Sequence, residues 1–329
     1  MPDLSLFSAI DVLPRNAYDF LWADYVELLC LCSRNGCVSS GNVQALVQEA
    51  QDVQTDLDDL DEEPQDEFDD PEVLDDRVSK RWTDIRRRLQ ARATSWPGWP
   101  FRLDGAVLYS AFDGKNQEHR LYAALLIASS LRLCHVERRK EVTDAFEEIS
   151  YHWLKRSLND LWVVRPFGAH QKLPNAYAGT LRAKLEALAG DLKAVLQKPP
   201  EAYDPGDSGD GGIDLVAWMR MGDQRGNVPV IFGQCACSPT DWESKQLSVS
   251  GPSVEAHIAP QHQGAAYCFV PHDLHMSDTQ WQRASHVRRT VVVDRARILE
   301  LFRATSALAA LPTWTFVDEP AQLQAAMAA

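Results

Sequence analysis

Two apolar runs, residues 213–219 (IDLVAWM) and 228–237 (VPVIFGQCAC), stand on either side of the turn-forming stretch GDQRGN. Each run has the length of a strand, and Gly, Asp and Asn supply the backbone angles that a reversal needs. The two runs are therefore expected to pair as neighbouring antiparallel strands. Further strand-like runs at 161–167, 265–270 and 290–293 alternate with helical patterns at 143–158, 177–197 and 294–304. That alternation reads as α/β, with Thr143 as the expected cap of the first helix.

The chain before residue 141 has a different texture. Residues 16–32 and 41–51 carry helical spacing, the second run opening at Ser39, Ser40 or Asn42. A basic amphipathic helix is expected from Ser79 until SWPGWPF breaks it, and 121–133 is dense enough in apolar residues for a buried helix. A mainly helical domain over 1–140 followed by a sheet-bearing domain over 141–329 is the resulting division. At roughly 100–200 residues per domain, 329 residues suit two domains.

The net charge of −14 is concentrated in one place. Residues 52–76 hold 14 acidic groups and no Lys or Arg, which leaves 33 of each sign elsewhere. Few apolar residues and two prolines make this segment an expected disordered insert. Residues 77–140 hold 14 basic and 5 acidic groups. Arg81, Arg86, Arg87, Arg88 and Arg92, with Trp82, Trp96 and Trp99 nearby, offer phosphate contact and base stacking. The overall acidity thus excludes nothing about a nucleic-acid partner; its placement leaves a basic region beside an acidic one.

Other classes drop out. The longest apolar stretch, 121–131, falls short of the roughly 20 residues of a membrane span, so no membrane partner is expected. Asp3 and the lack of a basic leader argue against a signal peptide. Seven cysteines without a C-x-x-C pair suit buried thiols in a reducing, cytoplasmic setting. His272, Asp273 and His275 in PHDLH, and Glu186 on a helix, are weaker candidates, better explained as incidental and as a solvated face.

The chemistry is expected in the hairpin. Asp214 opens one strand and Gln234 lies near the end of the other, so fixed strand spacing can bring both to one ion. Their oxygens suit a hard cation, Mg²⁺ or Mn²⁺, which can polarise a phosphodiester. Gly209, Gly211 and Gly212 before Asp214 allow a sharp turn and close approach of a phosphate.

The order Phe146-Glu147 on a helix, Gly209-Asp210-Gly211-Gly212-Ile213-Asp214 opening a strand, and Gln234-Cys235 ending the next resembles the Mrr-like restriction endonucleases of the PD-(D/E)XK superfamily. The likeness spans 141–303, about half the chain. It implies a restriction-endonuclease-like mixed sheet flanked by helices and Mg²⁺-dependent DNA cleavage, with Glu147, Asp214 and Gln234 around the metal and Asp210 as a neighbouring alternate. It further implies a bacterial anti-phage effector, a separate ATPase or sensor as partner and a homo-oligomer. Ala236 stands where that superfamily carries its lysine. Either the lysine has migrated, with Lys245 in DWESKQ as the candidate, or the domain is an inactive subunit that binds DNA or a partner protein.

Overall fold

The computed structural model describes residues 5–8, 10, 12–14, 18–52, 71–168, 173, 177–204, 206–277, 280–282 and 284–320. The chain divides into two compact units, Met1–Arg139 with the segment beginning at Thr315, and Lys140–Trp314.

The first unit runs α1 (Asp19–Cys32), β1 (Cys37–Ser39), α2 (Ser40–Asp52), α3 (Pro71–Ser95), β2 (Phe101–Asp104), β3 (Val107–Ser110) and α4 (Gln117–Ser129). Its strands form an antiparallel sheet in the order β1-β3-β2, so the unit is less purely helical than its sequence suggests. The strands are three or four residues long, too short for alternation to register. Segment 315–320 is tied in by Arg120 to Asp318 and by Arg138 Nη2 to Glu319 at 2.6 Å.

Helix α3 corrects two expectations. It begins at Pro71, so the last residues of the acidic segment are helical, while 53–70 lie outside the described residues. Its buried stripe is Trp82, Ile85, Leu89 and Arg92, spaced to fall on one face. That spacing carries Arg92 into the core, where Asp24 and Glu27 pair with it at 2.7 and 2.8 Å. Tyr122 and Trp99 donate to Glu27 at 2.7 and 2.9 Å, and Ser129 donates to Asp24 at 2.8 Å. Trp82 and Trp99 are likewise buried and present no face to a nucleic acid. Lys80, Thr83, Arg87 and Gln90 are among the residues that α3 exposes, Arg87 being paired with Asp84 at 3.1 Å.

The second unit runs α5 (Arg139–Ser157), β4 (Trp162–Pro166), α6 (Leu181–Leu192), β5 (Val195–Leu196), β6 (Leu215–Met219), β7 (Val230–Cys235), α7 (Trp242–Lys245), α8 (Gly251–Glu255), β8 (Ile258–Ala259), β9 (Ala265–Phe269), β10 (His275–Ser277), β11 (Gln280–Trp281), β12 (Val291–Val293) and α9 (Arg295–Ala304). Five strands form one mixed sheet, β12-β9-β7-β6-β4. β4, β6 and β7 are an antiparallel meander; β7, β9 and β12 are parallel. Strands β5 with β8 and β10 with β11 form two separate antiparallel ribbons. All six residues of β7 are buried, as befits the sheet's central strand.

Two helix boundaries differ from the expected ones. Thr143 lies inside α5, donating through Oγ1 to Lys140 O at 3.0 Å, and caps nothing. α6 starts after Thr180, whose hydroxyl accepts from Ala183 N, and ends where Lys193 turns left-handed at φ 52°. Val195 and Leu196 then pair with β8 instead of prolonging the helix. Among the described residues, no helix is long and apolar enough to cross a membrane.

Candidate active site

The register of β6 on β7 pairs Leu215 with Gly233, which puts Asp214 opposite Gln234 one step beyond the ladder. Gln234 Nε2 donates to Asp214 Oδ2 at 2.6 Å, and the Cys235 N–H donates to the same oxygen at 2.6 Å. Gln234 Oε1 is buried and has no hydrogen-bond partner. On its other side Asp214 faces Gly168, which follows β4. A Cβ at Gly168 would lie 3.7 Å from Asp214 Oδ1 and 3.9 Å from Asp210 Oδ2, so the missing side chain keeps a space in front of both carboxylates.

Asp210 is fixed by the loop that carries it. Its Oδ1 accepts from Gly212 N at 2.7 Å, and Lys184 Nζ donates to Ser208 O and Gly209 O at 2.8 and 2.9 Å. Gly211 and Gly212 sit at φ 62° and 81°, and a Cβ on Gly212 would come within 2.6 Å of Ser248 Cβ. This glycine pair is what the turn requires.

Electrostatics show which groups share the site. Burial pushes Asp214 well above the usual carboxylate range, the negative fields of Glu147 and Asp210 add to it, and the Cys235 N–H and Lys245 oppose it. Burial likewise lifts Glu147 to about 7, with Asp144 and Asp210 raising it and Lys140 and Lys245 lowering it. Glu147 on α5, the neighbouring Asp210 and Lys245 on α7 thus all act electrostatically on Asp214, which Gln234 of β7 contacts directly. Lys140 is occupied by Asp144 at 2.8 Å, whereas Lys245 makes no ion pair among the described residues. Ala236 is fully buried, and its N–H donates to Phe269 O at 2.9 Å.

Among the described residues, no three His, Cys, Asp or Glu side chains group closely enough to hold an ion by themselves. The donor set here is leaner and all oxygen: Asp214, the orphaned Oε1 of Gln234, and Glu147. A hard cation such as Mg²⁺ commonly takes one or two protein carboxylates and leaves its other positions to water and substrate phosphate, so these residues fit such an ion.

The remaining candidates fall elsewhere. Glu186 is exposed and paired with Arg182 at 2.7 Å. His272 and Asp273 are buried behind β9, and all seven cysteines are free thiols. Sequence reasoning missed Gly168, Lys184 and Gln246. Lys184 had a legible signal, a charge on the same stripe as Leu181, Leu185, Leu188 and Leu192.

Comparison of the chain with protein-family models, with curated proteins and with solved structures finds no match to any of them.

Proposed function

We propose that the second unit is a metal-dependent DNA endonuclease of the restriction-endonuclease-like kind. The observation that carries this reading is the direct contact of Gln234 with Asp214, a carboxylate on which Glu147 and Lys245 also act electrostatically. The mixed sheet, an antiparallel meander continued by parallel strands, supports it.

Asp214 and Gln234 would hold a Mg²⁺ or Mn²⁺ ion with Glu147. Such an ion supplies charge stabilisation to the phosphodiester and acidifies water. Glu147 would add its carboxylate to that ion or orient the attacking water, whose proton leaves to solvent. Water adds to phosphorus, the P–O bond to one sugar breaks, and the leaving oxygen takes up a proton from solvent. Lys245 donates to a non-bridging phosphate oxygen as negative charge grows there. The exposed donors of α3, Lys80, Thr83, Arg87 and Gln90, add a second surface suited to a polyanion.

The test is nicking of supercoiled plasmid by purified protein with Mg²⁺ or Mn²⁺, lost in Asp214→Ala. The buried Ala236 favours a second reading, a non-cleaving subunit that binds DNA or a partner protein. DNA binding without cleavage under any divalent cation would select it. The cellular counterpart of the first reading is anti-phage defence, seen as reduced phage plating on cells with wild type but not with Asp214→Ala.

A further inference from the structure

Gln246 directly follows Lys245, is completely buried, and spends its amide on a distant loop. Nε2 donates to His286 O at 2.7 Å, while Oε1 accepts from Arg288 N at 3.0 Å and from Thr290 Oγ1 at 2.9 Å. A second link joins the same elements, since His286 Nδ1 meets Glu243 Oε1 one turn back along α7. Loop 284–290 is thus fastened to the short helix that supplies the site's lysine.

The cargo of that loop is cationic. Arg288 and Arg289 are both exposed, and neither meets a carboxylate among the described residues. Arg288 spends only its Nε, on Ser285 O at 3.4 Å. Arg289 adopts φ 51°, a left-handed conformation that disfavours a residue with a Cβ. Such strain persists where the surroundings over-determine it, and here the Gln246 amide grips the residues on both sides. A structural loop would have no use for two adjacent guanidiniums kept clear of acids and bolted beside Lys245. A polyanion does: guanidinium forks match phosphate oxygens.

We propose that Arg288 and Arg289 clamp the phosphate backbone of the DNA duplex entering this site, and that Gln246 is the positioning residue that sets the clamp beside Lys245. This rests on the nuclease reading and adds to it a surface for phosphates flanking the scissile one.

The experiment uses full-length protein carrying Asp214→Ala, so that DNA is bound and not cut, and follows a labelled duplex by anisotropy between about 50 and about 200 mM KCl. Each lost phosphate contact lowers the slope of log K against log salt by about 0.9 on duplex. Adding Arg288→Gln with Arg289→Gln should reduce the slope by about 1.8 and leave the melting temperature unchanged. Gln246→Met should give a similar loss with both arginines present, and the arginine changes should add little on top of it, as expected for residues acting through one device. An unaltered slope in a protein that binds duplex would overturn the clamp while leaving the nuclease reading standing. Absence of both binding by Asp214→Ala and cleavage by wild type would overturn the two together.

Discussion

Gln234 holds Asp214 through its amide nitrogen, at 2.6 Å, and leaves its amide oxygen buried without a partner. A buried unpaired carbonyl costs about 1–3 kcal/mol, and a fold that served only stability would relieve it with an apolar residue or a second donor. The carboxylate beside it is one that burial holds above its usual range. The whole account of the second unit follows from that pair.

Asp214→Asn should stabilise the cation-free protein at alkaline pH. Folding raises the Glu147 carboxyl from 4.5 to about 7, and Asp214 also moves upward, so the folded state binds more protons than the unfolded one in that window. The stability of these groups is complete below the unfolded values and is lost as pH rises through the folded ones. Wild type should therefore fall in Tm relative to Asp214→Asn as pH climbs from about 5 to about 8, ending about 2 °C or more below it. Excess MgCl₂ should restore wild type alone. Parallel melting curves for the two proteins across that range would contradict the assignment.

Lys245→Met should cut the cleavage rate by about 10²–10³, the usual loss for one electrostatic donor at a reacting centre. Lys245 also lowers the Glu147 carboxyl, so its removal should move the pH profile of the residual activity upward. An unchanged rate would exclude α7 as the source of the site's cation.

Gly168→Ala should fold, because its added Cβ lies at ordinary contact distances of 3.7 and 3.9 Å from the two carboxylates. Gly168→Val covers them further and should raise the Mg²⁺ concentration for half-maximal cleavage by roughly 10-fold, the scale of changes around a metal's ligands. Titration of activity against Mg²⁺ reads the effect; superimposable curves for all three proteins would show that the space before Asp214 is not where the ion enters.

Arg92→Leu isolates the first unit. It strands the buried carboxylates of Asp24 and Glu27 without their cation, and breaking such a pair costs about 3–5 kcal/mol. Urea unfolding should report that loss, while cleavage per folded molecule at low temperature stays near wild type. A stability change below about 1 kcal/mol would mean that the two acids are protonated in the core.

The pairing of Asp214 with Gln234 was legible before the fold was known, because it is locally encoded. Asp214 and Gln234 belong to two strands joined by a ten-residue connection, and a hairpin's register brings them face to face. Glu147 came from the superfamily likeness and Lys245 from its missing lysine, since nothing local in the sequence links either helix to the hairpin. Gly168 and Gln246 left no trace: an absent side chain has no signature, and Gln246 bonds to residues 40 and more positions away. In the first unit Arg92 was read with the cationic face of α3, although it is buried there. Arg92 shares the stripe of Ile85 and Leu89, and only Asp24 and Glu27, far earlier in sequence, make its burial tolerable.

The central claim, that Asp214, Gln234, Glu147 and Lys245 form one cation-dependent hydrolytic site, is tested most directly by plasmid nicking with purified wild type, Asp214→Ala and Lys245→Met. The account expects wild type to convert supercoiled plasmid to open circles with Mg²⁺ or Mn²⁺ and not with EDTA. Asp214→Ala should be inert and Lys245→Met slower by about 10² or more. Wild type that leaves the plasmid intact with every divalent cation, or that cuts as fast after Asp214→Ala, would contradict it.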